Sequence, residues 1–136
     1  MALLLAGGVA ACCFSCRSRG AATHLPGTVL EVSDSSILSL RRDTFDLGRL
    51  REGERIVKEF SVKNSGNVPF VVSSAESDCG CIVSEYDRRP VAPGEDAPLG
   101  VWFDSRGYRG YLLKRVALTT TLRREPLVFY LEAVIE

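Results

Sequence analysis

The sequence predicts an all-β fold, an antiparallel sandwich of seven or eight short strands. Three observations predict it. No long segment carries apolar residues at helical spacing, whereas several alternate apolar and polar residues. Turn residues recur about every 8–12 positions. The spacers between these segments are too short for the crossovers that parallel strands require.

Thr44–Gly48 alternates and ends in glycine. From Ile56 to Asn64, Ile56, Phe60 and Val62 share one face, and Val57, Glu59, Ser61 and Lys63 the other. Asn64-Ser65-Gly66-Asn67 is a turn, because Asn and Gly tolerate positive φ. Val68 to Val72 reads as the next strand, with Pro69, which lacks a donor, at its start or at a sheet edge. Pro93-Gly94 marks a tight turn. Leu99, Val101 and Phe103 alternate with Gly100, Trp102 and Asp104, and Ser105-Arg106-Gly107 turns the chain again. Leu112–Thr121 is rich in β-branched and aliphatic residues, and residues 127–135 alternate. Thr28–Val32 and Ile37–Leu40 add one or two short strands. The predicted core is Phe45, Phe60, Val62, Phe70, Val72, Val101, Phe103, Val116, Leu118, Phe129 and Leu131. Trp102 points to the opposite face, partly exposed or covered by the N-terminal segment.

Hydrophobic residues make up 46% of the 136 residues and charged residues 25%, ordinary values for a globular protein. The 17 basic and 17 acidic residues cancel, which argues against a nucleic-acid partner. Ala2 to Phe14 is uncharged and shorter than the roughly 20 apolar residues of a membrane span, so residues 1–22 read as an export signal. Val9-Ala10-Ala11-Cys12 resembles a lipobox, with Cys12 as the lipidation site. No basic residue precedes the apolar run, and Arg17 and Arg19 follow it, so cleavage near Ala21-Ala22 is the alternative. Residues 23–42 follow as a tether with the first short strands, and 43–136 form the domain. The expected place is outside the cytoplasm, in the periplasm or at the cell surface, where disulfides persist. A lipid at Cys12 would be the membrane anchor.

After the first sixteen residues, Cys79 and Cys81 are the only cysteines. In a straight strand their Cα atoms would lie roughly 6.6 Å apart, too far for a comfortable disulfide. Gly80 permits the kink that would close one. Three uses stay open. The pair is a redox site, a soft-metal pair for copper(I) or half of a zinc site, or a structural feature, either small buried packing residues or a disulfide that only pins the loop. One histidine, His24, is available and falls in the tether, so a complete zinc site and a Cys-His pair within the domain are not expected. Asp78 disfavours a neighbouring thiolate. Tyr86, Tyr108, Tyr111, Tyr130 and Trp102 are candidates for a binding face, with packing as the simpler use.

Several short elements occur in a recognisable order. They are Phe45-Asp46-Leu47-Gly48, Gly53-Glu54, Phe60-x-Val62-x-Asn64-x-Gly66 and Val68-Pro69-Phe70. Cys79-Gly80-Cys81, Pro93-Gly94-Glu95, Val101-x-Phe103-Asp104 and Gly110 complete the series. In this the chain resembles, over residues 43 to 134, a family of uncharacterised bacterial Ig-like domains with a Cys-Gly-Cys motif. That family is common in exported proteins of Bacteroidetes and distantly similar to hydin-type and major-sperm-protein-type domains. This chain departs from the family pattern at Ile82, where a threonine usually follows the second cysteine, and at Leu122, near the place of an asparagine. The resemblance implies an Ig-like sandwich and brings no activity and no cofactor. The expected function is a non-enzymatic cell-envelope module, anchored as a lipoprotein and working through protein contacts. The alternative is an extracytoplasmic thiol or soft-metal protein using Cys79 and Cys81.

Overall fold

The computed structural model describes residues 21–33 and 43–136. Among them are eight strands and no helix. The strands are β1 (Thr23–Val32), β2 (Thr44–Leu50), β3 (Arg55–Asn64), β4 (Val72–Ser77), β5 (Ile82–Tyr86), β6 (Asp96–Asp104), β7 (Gly110–Thr120) and β8 (Leu127–Ile135). They build two four-stranded sheets, in the orders β1-β3-β6-β5 and β2-β8-β7-β4, packed face to face.

The sandwich is the one the alternation predicts, but neither sheet is purely antiparallel. β1 runs parallel to β3, and β2 runs parallel to β8. No local crossover is needed, because the parallel partners are not neighbours in sequence. The chain leaves β1, forms β2 in the other sheet, and returns as β3. The short spacers therefore exclude only parallel strands joined directly.

β1 begins at Thr23, so His24 and Gly27, expected in a tether, are strand residues. Pro26 falls where the β1–β3 register shifts, a place for a residue without a donor. Its carbonyl accepts a hydrogen bond from Lys58 Nζ at 2.5 Å. This lets Lys58 share the inner face of β3 with Ile56, Phe60 and Val62, its stem buried and its amine paired. The strand expected from Val68 starts later, at Val72. Phe70 instead makes an isolated bridge to Val91, exchanging backbone bonds of 3.1 and 2.7 Å. β5, overlooked in the sequence pattern, follows the cysteines directly. The possible strand at Ile37–Leu40 lies outside the described residues.

Of the predicted core, all but Phe45 are buried. Phe45 lies on β2, at a sheet edge, and is half-buried. It still meets Phe60 and Phe129 edge-on, at ring separations of 5.0 and 5.9 Å. At Pro93-Gly94, Glu95 N–H reaches Ala92 C=O at 2.9 Å and Gly94 has φ 83°. That is a type II turn, which demands positive φ at its third residue. At Ser105-Arg106-Gly107, Tyr108 N–H bonds Ser105 C=O at 3.1 Å. Ser105, fully buried, fixes this turn to the β2–β3 loop, with Oγ 2.9 Å from Arg51 C=O and 2.8 Å from Glu54 C=O.

Candidate functional site: the Cys79–Cys81 bridge

Cys79 and Cys81 form a disulfide, with Cα atoms 5.2 Å apart. They sit in the turn between β4 and β5, where the chain passes from one sheet to the other, and not within a strand. Ile82 N–H bonds Cys79 C=O at 3.2 Å, an i to i+3 turn that brings the two Cα atoms within bridging range. Gly80, expected to permit the kink, lies inside this turn and needs no left-handed backbone to do so. Its φ is outside the positive range, and a Cβ added there would meet nothing within 4 Å. The turn makes the bend, and glycine leaves its outer side open.

Cys81 is the more enclosed residue, at 7% exposure, and Cys79 is half-buried. Cys81 C=O accepts from Asp104 N–H at 2.9 Å, which ties the turn to the end of β6. Cys79 Sγ lies 3.2 Å from Tyr108 Oη and 3.1 Å from Cys81 N. A disulfide sulfur has no proton to give, so the phenol and the amide both donate to Cys79 Sγ. Tyr108 comes from the β6–β7 loop, which also passes from sheet to sheet at this end. Lys114 Nζ stands 5.4 Å from the centre of its ring.

Two open hollows flank the bridge. One of about 310 Å³ is lined by Gly80, Cys81, Asp104, Arg106 and Tyr108. The other, about 360 Å³, is bounded by Arg55, Gly80, Cys81, Val83, Glu85, Trp102 and Asp104. Arg106 and Arg55 approach Asp104 to 3.0 and 4.0 Å. Trp102 is half-covered from the N-terminal strand. His24 packs edge-on against its ring at 6.3 Å, and Arg55 lies 5.6 Å over it. Its indole nitrogen is buried and has no hydrogen-bond partner among the described residues.

Among the described residues no group of three His, Cys, Asp or Glu side chains is placed to hold a metal ion. His24 is on β1, hydrogen-bonded to Glu59 at 3.1 Å. The candidate aromatics do not converge on one face. Tyr111 and Tyr130 are both on the outer face of the β2-β8-β7-β4 sheet, Trp102 is on the outer face of the other sheet, and Tyr108 serves the bridge. Sequence reasoning missed Tyr108 as a partner of the cysteines. It stands 29 residues from Cys79, and only the meeting of two intersheet loops joins them. Cys12, the proposed lipidation site, lies outside the described residues.

The sandwich is similar to part of a protein of unknown function from Porphyromonas gingivalis W83, at 17% identity and TM-score 0.56. The match covers 67% of this chain and 43% of that one. It is also similar to part of the VesB protease of Vibrio cholerae, at 11% identity and TM-score 0.54, over 73% of this chain and 33% of that one. The secreted serine protease VesC of the same organism matches at 12% identity and TM-score 0.53, over 66% and 21%. The chain thus spans less than half of each. At these identities the likeness is one of fold. No curated protein matches the chain. The model of the family described as "Protein of unknown function (DUF1573)" matches residues 38–135, well over half of the sequence, and the chain belongs to that family.

Proposed function

We propose that this protein is a non-enzymatic module of the cell envelope, held at a membrane by a lipid on Cys12, with an Ig-like sandwich that works through contacts with another envelope protein. The observation that carries this reading is the outer face of the β2-β8-β7-β4 sheet. Tyr111 and Leu113 stand 62% and 48% exposed on β7. Across the ladder Tyr111 faces Val134, Leu113 faces Glu132, and Arg115 faces Tyr130 on β8. An apolar strip bordered by charges of both signs has the composition of a contact surface. An exported place fits the apolar N-terminal segment, and the fold also occurs within a secreted protease.

The test is site-specific photo-crosslinking in the producing cells. A crosslinker at Leu113 is expected to give one discrete adduct, and a crosslinker at Lys63, on the other sheet, none. Equal labelling from both positions, or no discrete adduct from Leu113, contradicts the contact reading. Fractionation of Cys12→Ala tests the anchor. Retention in the membrane with unchanged mobility contradicts lipidation.

A second reading is favoured by a specific observation, the two donors on Cys79 Sγ. In it the pair exchanges disulfides with thiols of a partner outside the cytoplasm. This reading is the alternative to a non-enzymatic module.

A further inference from the structure

We infer that Cys79 is the attacking sulfur of this pair, that Cys81 is the resolving one, and that Tyr108 is the positioning residue that makes them unequal. The inference rests on the exchange reading. Both sulfurs belong to cysteines two residues apart, so residue type gives no reason to prefer either. The surroundings do. Cys79 Sγ receives Tyr108 O–H at 3.2 Å and Cys81 N–H at 3.1 Å, whereas no such donor is aimed at Cys81 Sγ among the described residues. Donors to a sulfur favour its charged form. Cys79 is also the less enclosed of the two.

The charged groups nearby act in both directions. Asp78 precedes Cys79 in the chain and opposes charge there. Asp104 is engaged by Arg106 and Arg55. Lys114 sits over the ring of Tyr108, where a cation makes the phenol a better donor.

The reduced pair would react with a disulfide R–S–S–R′ in two balanced steps. The Cys79 thiolate attacks one sulfur, forming Cys79–S–S–R and expelling R′S⁻. Cys81 then loses its proton to water and attacks Cys79 Sγ. The Cys79–Cys81 bond reforms and RS⁻ leaves. The pair is oxidised by two electrons and the substrate reduced to two thiols. A dithiol partner runs the same steps backwards and regenerates the reduced pair.

Two measurements on the full chain test this, each with peptide mapping so that Cys12, Cys13 and Cys16 are counted separately. After reduction, the rate of alkylation by iodoacetamide is followed against pH. Cys79 is expected to react faster than Cys81 near neutral pH. Tyr108→Phe is expected to slow Cys79 roughly tenfold there, the effect of one lost bond to a charged group. It leaves the rate at strongly alkaline pH, and the rate of Cys81, unchanged. Faster reaction of Cys81 in the wild-type chain overturns the assignment, and does so even if Tyr108→Phe fails to fold. A Tyr108→Phe rate equal to wild type in a folded protein overturns the role of Tyr108. Oxidised glutathione is the second probe. Cys81→Ser is expected to trap a mixed disulfide on Cys79, and Cys79→Ser to trap markedly less on Cys81. If neither variant forms one while Cys79 still alkylates first, the exchange reading falls.

Discussion

Asn64 has no exposed surface at all. Its side chain donates to Val68 C=O and Val91 C=O, both at 2.9 Å, and accepts from Gly66 N–H at 3.0 Å. One amide thus closes the turn after β3 and fastens it to the strand-like segment around Val91. Asn64→Ala removes the donors and leaves the carbonyls to find others. A loss of about 2–3 kcal/mol is expected in urea unfolding. Asn64→Asp keeps the turn acceptor but sets an acid against two carbonyls, and it should cost more than alanine. At the surface, Tyr111 O–H donates to Glu132 at 2.9 Å, and this bond raises its pKa above that of an ordinary phenol. The fold favours the neutral phenol, so the stabilisation is whole below the unfolded pKa and disappears as pH rises through the folded one. Glu132→Gln should therefore move the Tyr111 titration, followed by absorbance, back towards the ordinary value. An unchanged titration would assign the shift to another cause.

At the scale of elements, the glycines of two turns have opposite standing. Gly94 occupies the positive-φ position of the Ala92–Glu95 turn, with φ 83°. Gly94→Ala should cost about 1–2 kcal/mol. Gly80→Ala should change stability by less than about 0.5 kcal/mol and leave the bridge intact, since its backbone is ordinary and its outer side open. A large loss at Gly80 would mean that the turn depends on it after all.

These elements also mark what was legible. The alternation on β6, β7 and β8 and the Pro93-Gly94 turn could be read directly, because period and turn chemistry are local properties. The core followed from the same alternation, with Phe45 less covered because β2 is an edge. The parallel pairing of β1 with β3 and β2 with β8 is set by the other sheet, and no local pattern carries it. The site was half legible. Cys79 and Cys81 stood out by type and spacing. The turn that closes them, and Tyr108 beside Cys79, depend on two loops meeting at one end of the sandwich.

For the whole molecule, the bridge contributes little as a staple. Loop-closure entropy for a loop of three residues corresponds to about 1.6 kcal/mol, against roughly 3 kcal/mol for a loop of 15. The sandwich rests instead on the apolar faces of two four-stranded sheets, and it should stay folded when the bridge opens. A bond that matters little to the fold, at an open turn with one sulfur hydrogen-bonded, is suited to opening and closing. The most direct measurement is the redox state of the full chain, purified in air and mapped by alkylation and mass. Cys79 and Cys81 should be bridged to each other without reductant and become two free thiols under mild reductant, with the far-ultraviolet dichroism of the sandwich unchanged. Two free thiols in air, or a bridge that opens only when the protein unfolds, would contradict the account.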